Sequence, residues 1–387
     1  MLFDKEIQRL WGVIQTITAE RGAYSADRDR LAAQIRALQE GVGDAPLLSP
    51  EGVATAFSRA FTNCNHDERV TLFRCVIKLF ADYMIANGVF AHAAYEEAAN
   101  AGISVFPLNY YSPIASRKEI EANAGSTLST ALAEEKFDRT VQVARLASLL
   151  NYASELSDIP VTLPSGGGFY WSNGMFGPQD AFTYYALIRK FLPARVLEVG
   201  SGFSTLIAAR AAGHNGTTRV TCIEPYPTDT HNSHLRAEAG FQLIEKPVQH
   251  MGIELFTSLQ ENDILFIDSS HVAKPGSDVE FLFFEVLPRI APGVLVHIHD
   301  IFLPRGYNHH YYIDQKRHWN ENYLLGALLL ENPRWQVEIA NAFIAGFGQS
   351  AELDALVAAL AGGRKDIQDA LAPSAGGGSL WLRRLPG

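Results

Sequence analysis

Four short apolar segments in the second half of the chain are each followed by ionisable side chains. We predict strands over 195–198, 219–224, 263–268 and 294–299, which end at Glu198, at Glu224, at Asp268 with His271 close behind, and at His299 and Asp300. The carboxyl ends of parallel strands meet along one edge of an open α/β sheet, so these side chains are expected to share a crevice. Because a buried carboxylate is costly without a partner, the row predicts a polar ligand site.

The loop after the first of these strands reads Glu198-Val-Gly-Ser-Gly-Phe-Ser. Gly200 and Gly202 allow a tight turn and let a ligand approach the backbone. A dinucleotide fingerprint would need a third glycine where Thr205 stands, and Glu198 would repel a pyrophosphate. Glu198 tolerates a cofactor with a cationic amino group and a sulfonium. Glu224, at the end of the next strand, is placed to accept hydrogen bonds from two ribose hydroxyls.

Three segments resemble successive motifs of the class I S-adenosylmethionine-dependent methyltransferases: Val196-Leu-Glu-Val-Gly-Ser-Gly-Phe-Ser-Thr, Cys222-Ile-Glu-Pro and Asp263-Ile-Leu-Phe-Ile-Asp. The resemblance spans roughly Phe169 to Trp381. Within the superfamily, the segments 267–279 and 297–304 resemble a bacterial group of largely uncharacterised methyltransferases. It implies S-adenosylmethionine as the cofactor. The implied contacts are a loop of Glu198, Gly200, Ser201, Gly202 and Ser204, Glu224 at the ribose, and Asp268 and Ser269 beside the methionine portion.

Methyl transfer to a hydroxyl requires a positioned nucleophile and a group that removes its proton. His271 and His299 are the candidate bases because an imidazole titrates near neutrality, and Asp268 and Asp300 are the other candidate catalytic residues. The favoured reaction is therefore O-methylation. N-methylation, a nicotinamide-dependent oxidoreductase and a non-catalytic cofactor-binding scaffold remain alternatives.

A metal-assisted mechanism is a further alternative. The caffeoyl-coenzyme A and macrocin-type O-methyltransferases are similar in fold and place carboxylates after the same two strands, where Asp268 and Asp300 stand here. However, Ile301 occupies the position that carries an amide or acid in the caffeoyl-type pattern, which leaves the oxygen shell preferred by magnesium incomplete. A divalent metal is thus possible but not favoured, and no metal ligand is assigned.

A further strand is predicted over 241–244, which makes 294–299 the fifth strand. The alternation of strands and helical patterns after residue 195 predicts βαβ units around a mostly parallel sheet. The fold class is α/β, a Rossmann-like class I methyltransferase sheet over 161–387, closed by an antiparallel pair at 335–340 and 379–384. A mainly α-helical region over 1–160 precedes it, with helical patterns at 4–40, 50–99 and 137–154. Ser277 and Glu280 have the spacing of a capping box, which predicts a helix from there through Leu287.

Aromatic segments are expected to wall the acceptor side of the crevice. A proline-punctuated arm at 103–113 and a glycine-rich loop at 164–174 cannot continue the helices beside them. The candidate substrate-binding residues are Tyr111, Tyr170, Trp171 and Asn173 from these segments and Phe176 just after the second of them. The stretch 302–319, which follows the fifth strand, supplies further aromatics.

The overall composition indicates which classes of binding partner to expect. The net charge is −10 and no Lys/Arg cluster occurs, which argues against nucleic acid and favours a small-molecule acceptor. The three cysteines form no Cys-x-x-Cys pair, and no apolar run reaches about 18 residues, so we expect a cytoplasmic protein without a membrane anchor. The apolar stripes of the N-terminal helices predict self-association as a homo-oligomer.

Overall fold

A computed structural model describes residues 62, 64–87, 92–105, 108–227, 241–346, 351–374 and 376–387. The contacts divide the chain into two compact units, Met1–Ser112 and Pro113–Gly387. In the first unit, α1 (His66–Asn87) and α2 (His92–Asn100) lie within the second predicted helical stretch. The helix predicted over 4–40 lies outside the described residues.

Five helical segments precede the sheet in the second unit. They are α3 (Arg117–Asn123), α4 (Thr130–Lys136), α5 (Arg139–Leu149), a 3-10 continuation (Leu150–Leu156) and α6 (Pro178–Phe191). Side-chain caps fix three of their starts. The Ser116 hydroxyl accepts from the Glu119 N–H while Glu119 accepts from the Ser116 N–H, and Ser129 and Asp138 cap α4 and α5.

The sheet contains seven strands in the order β3-β2-β1-β4-β5-β7-β6. The parallel strands are β1 (Arg195–Val199), β2 (Arg219–Ile223), β3 (Phe241–Ile244), β4 (Ile264–Ile267) and β5 (Leu295–Ile298). β6 (Trp335–Ala340) and β7 (Leu380–Arg384) are antiparallel to their neighbours, and β7 lies between β5 and β6. The predicted mostly parallel sheet with an antiparallel closing pair is confirmed.

Helices cover both faces of the sheet. One core cluster combines Val196 and Phe266 with side chains of α5, α6 and α7 (Phe203–Asn215), while the other combines Leu197 and Leu265 with α10 (Glu321–Leu329) and the helix after β4. Adjacent strand residues therefore enter opposite cores, as a strand buried on both faces requires. The smaller helices are α8 (Glu254–Thr257), α11 (Asn341–Ala345), α12 (Ala351–Ala361) and α13 (Lys365–Leu371).

The helix predicted from the Ser277 capping box is present, but one of the two predicted capping hydrogen bonds has a different donor. It consists of α9 (Asp278–Phe281), a π-helical turn (Leu282–Val286) and a 3-10 turn (Leu287–Arg289). The Ser277 hydroxyl accepts from the Glu280 N–H at 3.1 Å as expected. Glu280, however, accepts from the Gly276 N–H at 2.6 Å rather than from Ser277.

The compact unit that holds the sheet begins at Pro113, whereas the sequence places the start of its methyltransferase domain at 161. The reason is packing: Leu146, Leu149 and Leu156 join the core cluster that also contains the strands. In the part of the chain with described coordinates, no helix is both long and apolar enough to cross a bilayer. Self-association and the cytoplasmic location stay predictions.

Candidate active site

The crevice of the sheet opens between β1 and β4, where the strand order reverses. Gly200 lies in the loop that leaves β1 and has φ of +100°, a conformation that favours glycine. A Cβ at Gly200 would lie 2.8 Å from the carbonyl oxygen of Asp268, the first residue after β4. The two loops at the switch point are thus in direct contact, and that contact requires glycine at position 200.

Gly202 has a different reason to be glycine. A Cβ at this position would meet nothing within 4 Å, so the described protein atoms leave open space in front of the residue. Its N–H donates to the Thr205 hydroxyl at 3.0 Å, and α7 begins at the next residue. The helix start, with Ser201 beside it, is therefore open to an approaching ligand.

Glu198 does not end its strand, because β1 continues to Val199. It shares a face of the sheet with Val196 and has no exposed surface. Its carboxylate accepts hydrogen bonds from three hydroxyls, those of Ser204 at 2.5 Å, Thr205 at 2.9 Å and Tyr184 at 3.2 Å. The side chains of Glu198 and Ser204 therefore hydrogen-bond each other on the core side of the loop, while the loop backbone faces the crevice.

The carboxyl group of Glu198 should make stability depend on pH. Burial raises its pKa from 4.5 to about 7, against the lowering effect of the three hydroxyls. A raised folded-state pKa means that the folded protein binds the extra proton, so this contribution is complete below pH 4.5 and is lost as pH rises through 7. Between pH 4.5 and 8, we expect this carboxyl group to lower the free energy of unfolding of the wild type by about 3 kcal/mol. Glu198→Gln should lack this decrease, as measured by denaturant unfolding at the two pH values.

The exposed Glu285→Gln variant is the matched control for that measurement, because Glu285 forms only a surface ion pair with Arg289. It should keep the pH dependence of the wild type. An unchanged pH dependence in Glu198→Gln would contradict the buried titration.

Glu224 directly follows β2 and is partly exposed. Its Oε1 accepts from the Tyr226 N–H at 2.7 Å, which fixes the direction of the carboxylate. The other carboxylate oxygen can accept from a ligand hydroxyl. The position at the end of the strand next to β1 fits the predicted ribose contact.

His271 is held between carboxylates. Its Nδ1 lies 2.8 Å from Glu321 Oε2, and its Nε2 lies 3.4 Å from Asp268 Oδ1 and 3.9 Å from Asp300 Oδ2. Burial lowers its pKa, but hydrogen bonds and charge from Asp268 and Glu321 outweigh burial and raise it to about 10. An imidazolium has no free lone pair, so His271 is a poor general base near neutral pH.

The Asp268 carboxylate is the most open acid of this group, with 39% of its side chain exposed. Burial acts to raise its pKa, but the charge of His299 and the hydrogen bond from His271 lower it overall. Asp268 is therefore ionised at neutral pH and faces the crevice. Asp300 is more enclosed and accepts from the Tyr311 hydroxyl at 2.9 Å.

His299 is the second histidine at the crevice and directly follows β5. Its Nδ1 is buried and has no hydrogen-bond partner among the described residues. Burial lowers its pKa, while the charges of Asp268, Asp300 and Asp180 raise it overall. The Phe176 ring lies 5.4 Å from the imidazole, centroid to centroid.

Asp180, in the first turn of α6, completes the inner side of this site. It is buried and accepts from the N–H groups of Gly378 and Ser379 and from the Asn341 amide, at 2.9, 2.9 and 2.8 Å. Gly378 in turn accepts from the Ile301 N–H after β5. The segment before β7 is thereby fastened to the end of β5.

The described residues can be compared with what a metal site would need. Within the described ranges, no group of three or more His, Cys, Asp or Glu side chains could hold a metal ion. Asp268 and Asp300 both face the Nε2 of His271, so the imidazole ring takes the place between them.

The predicted substrate-side residues have different environments. Tyr111 belongs to the first compact unit, where its ring contacts that of Tyr110 at a tilt of 35°. Trp171 packs in the core, and the Asn173 amide bonds the backbone of its own loop at Tyr170 and Phe176. Tyr170 packs against Phe203 beside Gly202, and Phe176 packs against His299, so these two lie nearest the crevice. Their roles stay predictions.

Three residues of the site were missed by the sequence reasoning: Asp180, Glu321 and Tyr311. Asp180 and Glu321 each lie in the first turn of an apolar helix, where an acid is also favoured by the helix dipole alone. Tyr311 lies in the aromatic stretch 302–319, which packs largely on itself through Tyr307, Tyr312 and Trp319.

Methyltransferases are among the solved structures that this chain matches at low identity. The plantazolicin methyltransferase BpumL in complex with S-adenosylhomocysteine has 14% identity, covers 66% of this chain and 99% of its own, and gives a TM-score of 0.34. The O-methyltransferase TomG from Streptomyces achromogenes in complex with S-adenosylmethionine has 15% identity, covers 70% and 99%, and gives a TM-score of 0.32.

The sequence comparisons identify the family. A family model described as a methyltransferase domain matches residues 197–301, which run from β1 to the residues after β5. An uncharacterised protein of Archaeoglobus fulgidus is 31% identical over 166 residues, covering 41% of this chain and 75% of that protein. The match to the family model shows that residues 197–301 form a methyltransferase domain, and the mostly parallel sheet with its antiparallel closing pair is the fold of a class I methyltransferase.

Proposed function

We propose that this methyltransferase acts on a hydroxyl group of a small molecule and that His299 accepts the proton. The observation that carries the proposal is a crevice histidine whose Nδ1 has no partner among the described residues, next to a second histidine that carboxylates hold as a cation. A hydroxyl acceptor needs a base near its oxygen. The Nδ1 of His299 is buried, so a neutral ring that carries its proton on Nδ1 leaves the lone pair of Nε2 as the base.

The residues at the crevice fit the cofactor. The open space at Gly202 admits a ligand to the start of α7, and Glu224 offers a carboxylate oxygen to ribose hydroxyls. Ionised Asp268 attracts a cationic ligand. When bound, S-adenosylmethionine supplies a methyl group on a sulfonium.

The protein then has to orient the acceptor and remove the proton from its hydroxyl group. An imidazole Nε2 of His299 that accepts the hydroxyl proton becomes a cation beside Asp268, Asp300 and Asp180, whose charges favour that form. Phe176 beside the ring reduces access of water to it. The small-molecule character of the acceptor is supported by the acidic net charge of the chain, which disfavours nucleic acid.

The test is a transfer assay with paired acceptors that differ only in a hydroxyl or an amino group, read out as methylated product by mass spectrometry. We expect the hydroxyl member of a pair to be methylated, with kcat rising with pH through the pKa of His299, above the ordinary value of 6.5. His299→Gln should lower kcat by about 10²- to 10⁴-fold with cofactor affinity retained.

His309→Gln is the control, because His309 is an exposed histidine in the stretch of chain that follows β5. It should retain wild-type kcat. Methylation of amines alone, or a His299→Gln variant with full kcat and an unchanged pH profile, would refute the proposal.

A further inference from the structure

Glu321 has no exposed surface, and both of its carboxylate oxygens are used. Oε2 lies 2.8 Å from His271 Nδ1, and Oε1 accepts from the Ser269 hydroxyl at 3.1 Å. A buried carboxylate requires a nearby positive charge or several donors. Among the described residues, His271 is the ionisable donor in contact with it.

The backbone couples the two residues a second time. The His271 carbonyl accepts from the N–H groups of Asn320 and Glu321 at 3.1 and 3.2 Å, at the start of α10. His271 has φ of +61°, a conformation that an L residue rarely adopts without such support. The Trp319 ring packs on the imidazole with a centroid distance of 4.2 Å, so ring rotation is blocked on that side.

A proton on Nδ1 directed at Glu321 leaves Nε2 directed at the crevice. The titratable groups that face His271 are Glu321 from α10, Asp268 from the end of β4, and Asp300 and His299 from the end of β5. The ring thus links the ends of the two strands whose side chains form the transfer site.

We propose that Glu321 is a positioning residue of the methyl-transfer site, which fixes the His271 ring so that its Nε2–H faces Asp268 and Asp300. The cation so held keeps Asp268 ionised and directed into the crevice, where the cofactor's positive charge is expected. The effect on transfer rests on the function proposed above, but the state of the His271 ring does not.

The experiment is a long-range ¹H–¹⁵N spectrum of the histidine rings in the full chain, recorded against pH without cofactor or acceptor. In the wild type we expect His271 to remain an imidazolium to about pH 9. In Glu321→Gln its titration midpoint should fall by about one to three pH units, because the opposite charge is lost. Glu285→Gln, a surface carboxylate paired with Arg289, should leave the midpoint unchanged.

If Glu321→Gln does not fold, Glu321→Asp tests the same contact, since its shorter side chain draws the charge away from Nδ1 and should lower the midpoint by a smaller amount. An unchanged His271 midpoint in the folded variant overturns the proposal. Calorimetry adds a second readout: the variant should bind S-adenosylhomocysteine with a changed pH dependence. Absence of hydroxyl methylation in the assay above would leave these titration results intact, so the two failures are distinguishable.

Discussion

Gly200→Ala is expected to unfold the cofactor loop locally and to weaken S-adenosylmethionine binding by at least about tenfold. The new Cβ would lie 2.8 Å from the Asp268 carbonyl oxygen, and the φ of +100° would be strained in alanine. Relief requires the β1 and β4 loops to separate, which displaces the backbone that receives the cofactor. Strain and displacement together should cost about 2–4 kcal/mol of stability, measured by urea unfolding, with affinity measured by calorimetry.

Gly202→Ala is the matched control, in the same loop and with the same added methyl group. Its Cβ meets no described protein atom within 4 Å, and the residue's φ of −176° is ordinary extended backbone. Its stability should therefore stay within about 1 kcal/mol of the wild type. Its cofactor affinity should fall, because the methyl group enters the space that the ligand needs. Equal stability losses in both variants would show that the contact with Asp268 is not the cause.

Asp180→Ala is expected to destabilise the second unit by about 3 kcal/mol or more. The substitution leaves the N–H groups of Gly378 and Ser379 without their buried acceptor, and each unsatisfied donor costs about 1–3 kcal/mol. The Asn341 amide loses one of its two buried acceptors and keeps the Thr183 hydroxyl. It also removes one of the negative charges that raise the pKa of His299. Denaturant unfolding gives the first effect and the histidine titration gives the second.

Asp138→Ala is a suitable comparison for that measurement. Asp138 is an exposed helix cap that accepts one bond, from the Val141 N–H at 3.0 Å, and its loss should cost about 1 kcal/mol. A similar loss for Asp180→Ala would mean that water or another group replaces the buried carboxylate.

Strands were predictable because they are buried on both faces and read as short apolar runs. The bounds predicted for 241–244 and 335–340 match those of β3 and β6. Most other predicted strand ends differ by one residue from the observed ends, where strand pairing stops and the loops begin. Glu198 was predicted to end its strand, but β1 continues to Val199. The strand period of two places it on the face of Val196, under the loop, rather than at the strand's end.

The assignment of a base could not be made from the sequence. His271 and His299 both follow predicted strands and look equivalent, but the contact that distinguishes His271 comes from a residue far along the chain. Glu321 is 50 residues from His271, and an acid at that position reads equally well as a helix-dipole contact. Only tertiary packing distinguishes a histidine that is held between carboxylates from one with a free nitrogen.

The insertion of β7 between β5 and β6 has a consequence for synthesis of the protein. The ribosome translates the residues of β5 and α10, with Asp300, His299 and Glu321, well before it reaches Gly378 and Ser379. Until those two residues emerge, Asp180 has no backbone donors and β6 has no partner strand. A nascent chain paused before residue 376 would therefore carry nearly every residue of the transfer site while lacking the strand that holds the site together, and methyl transfer would begin only after translation of β7.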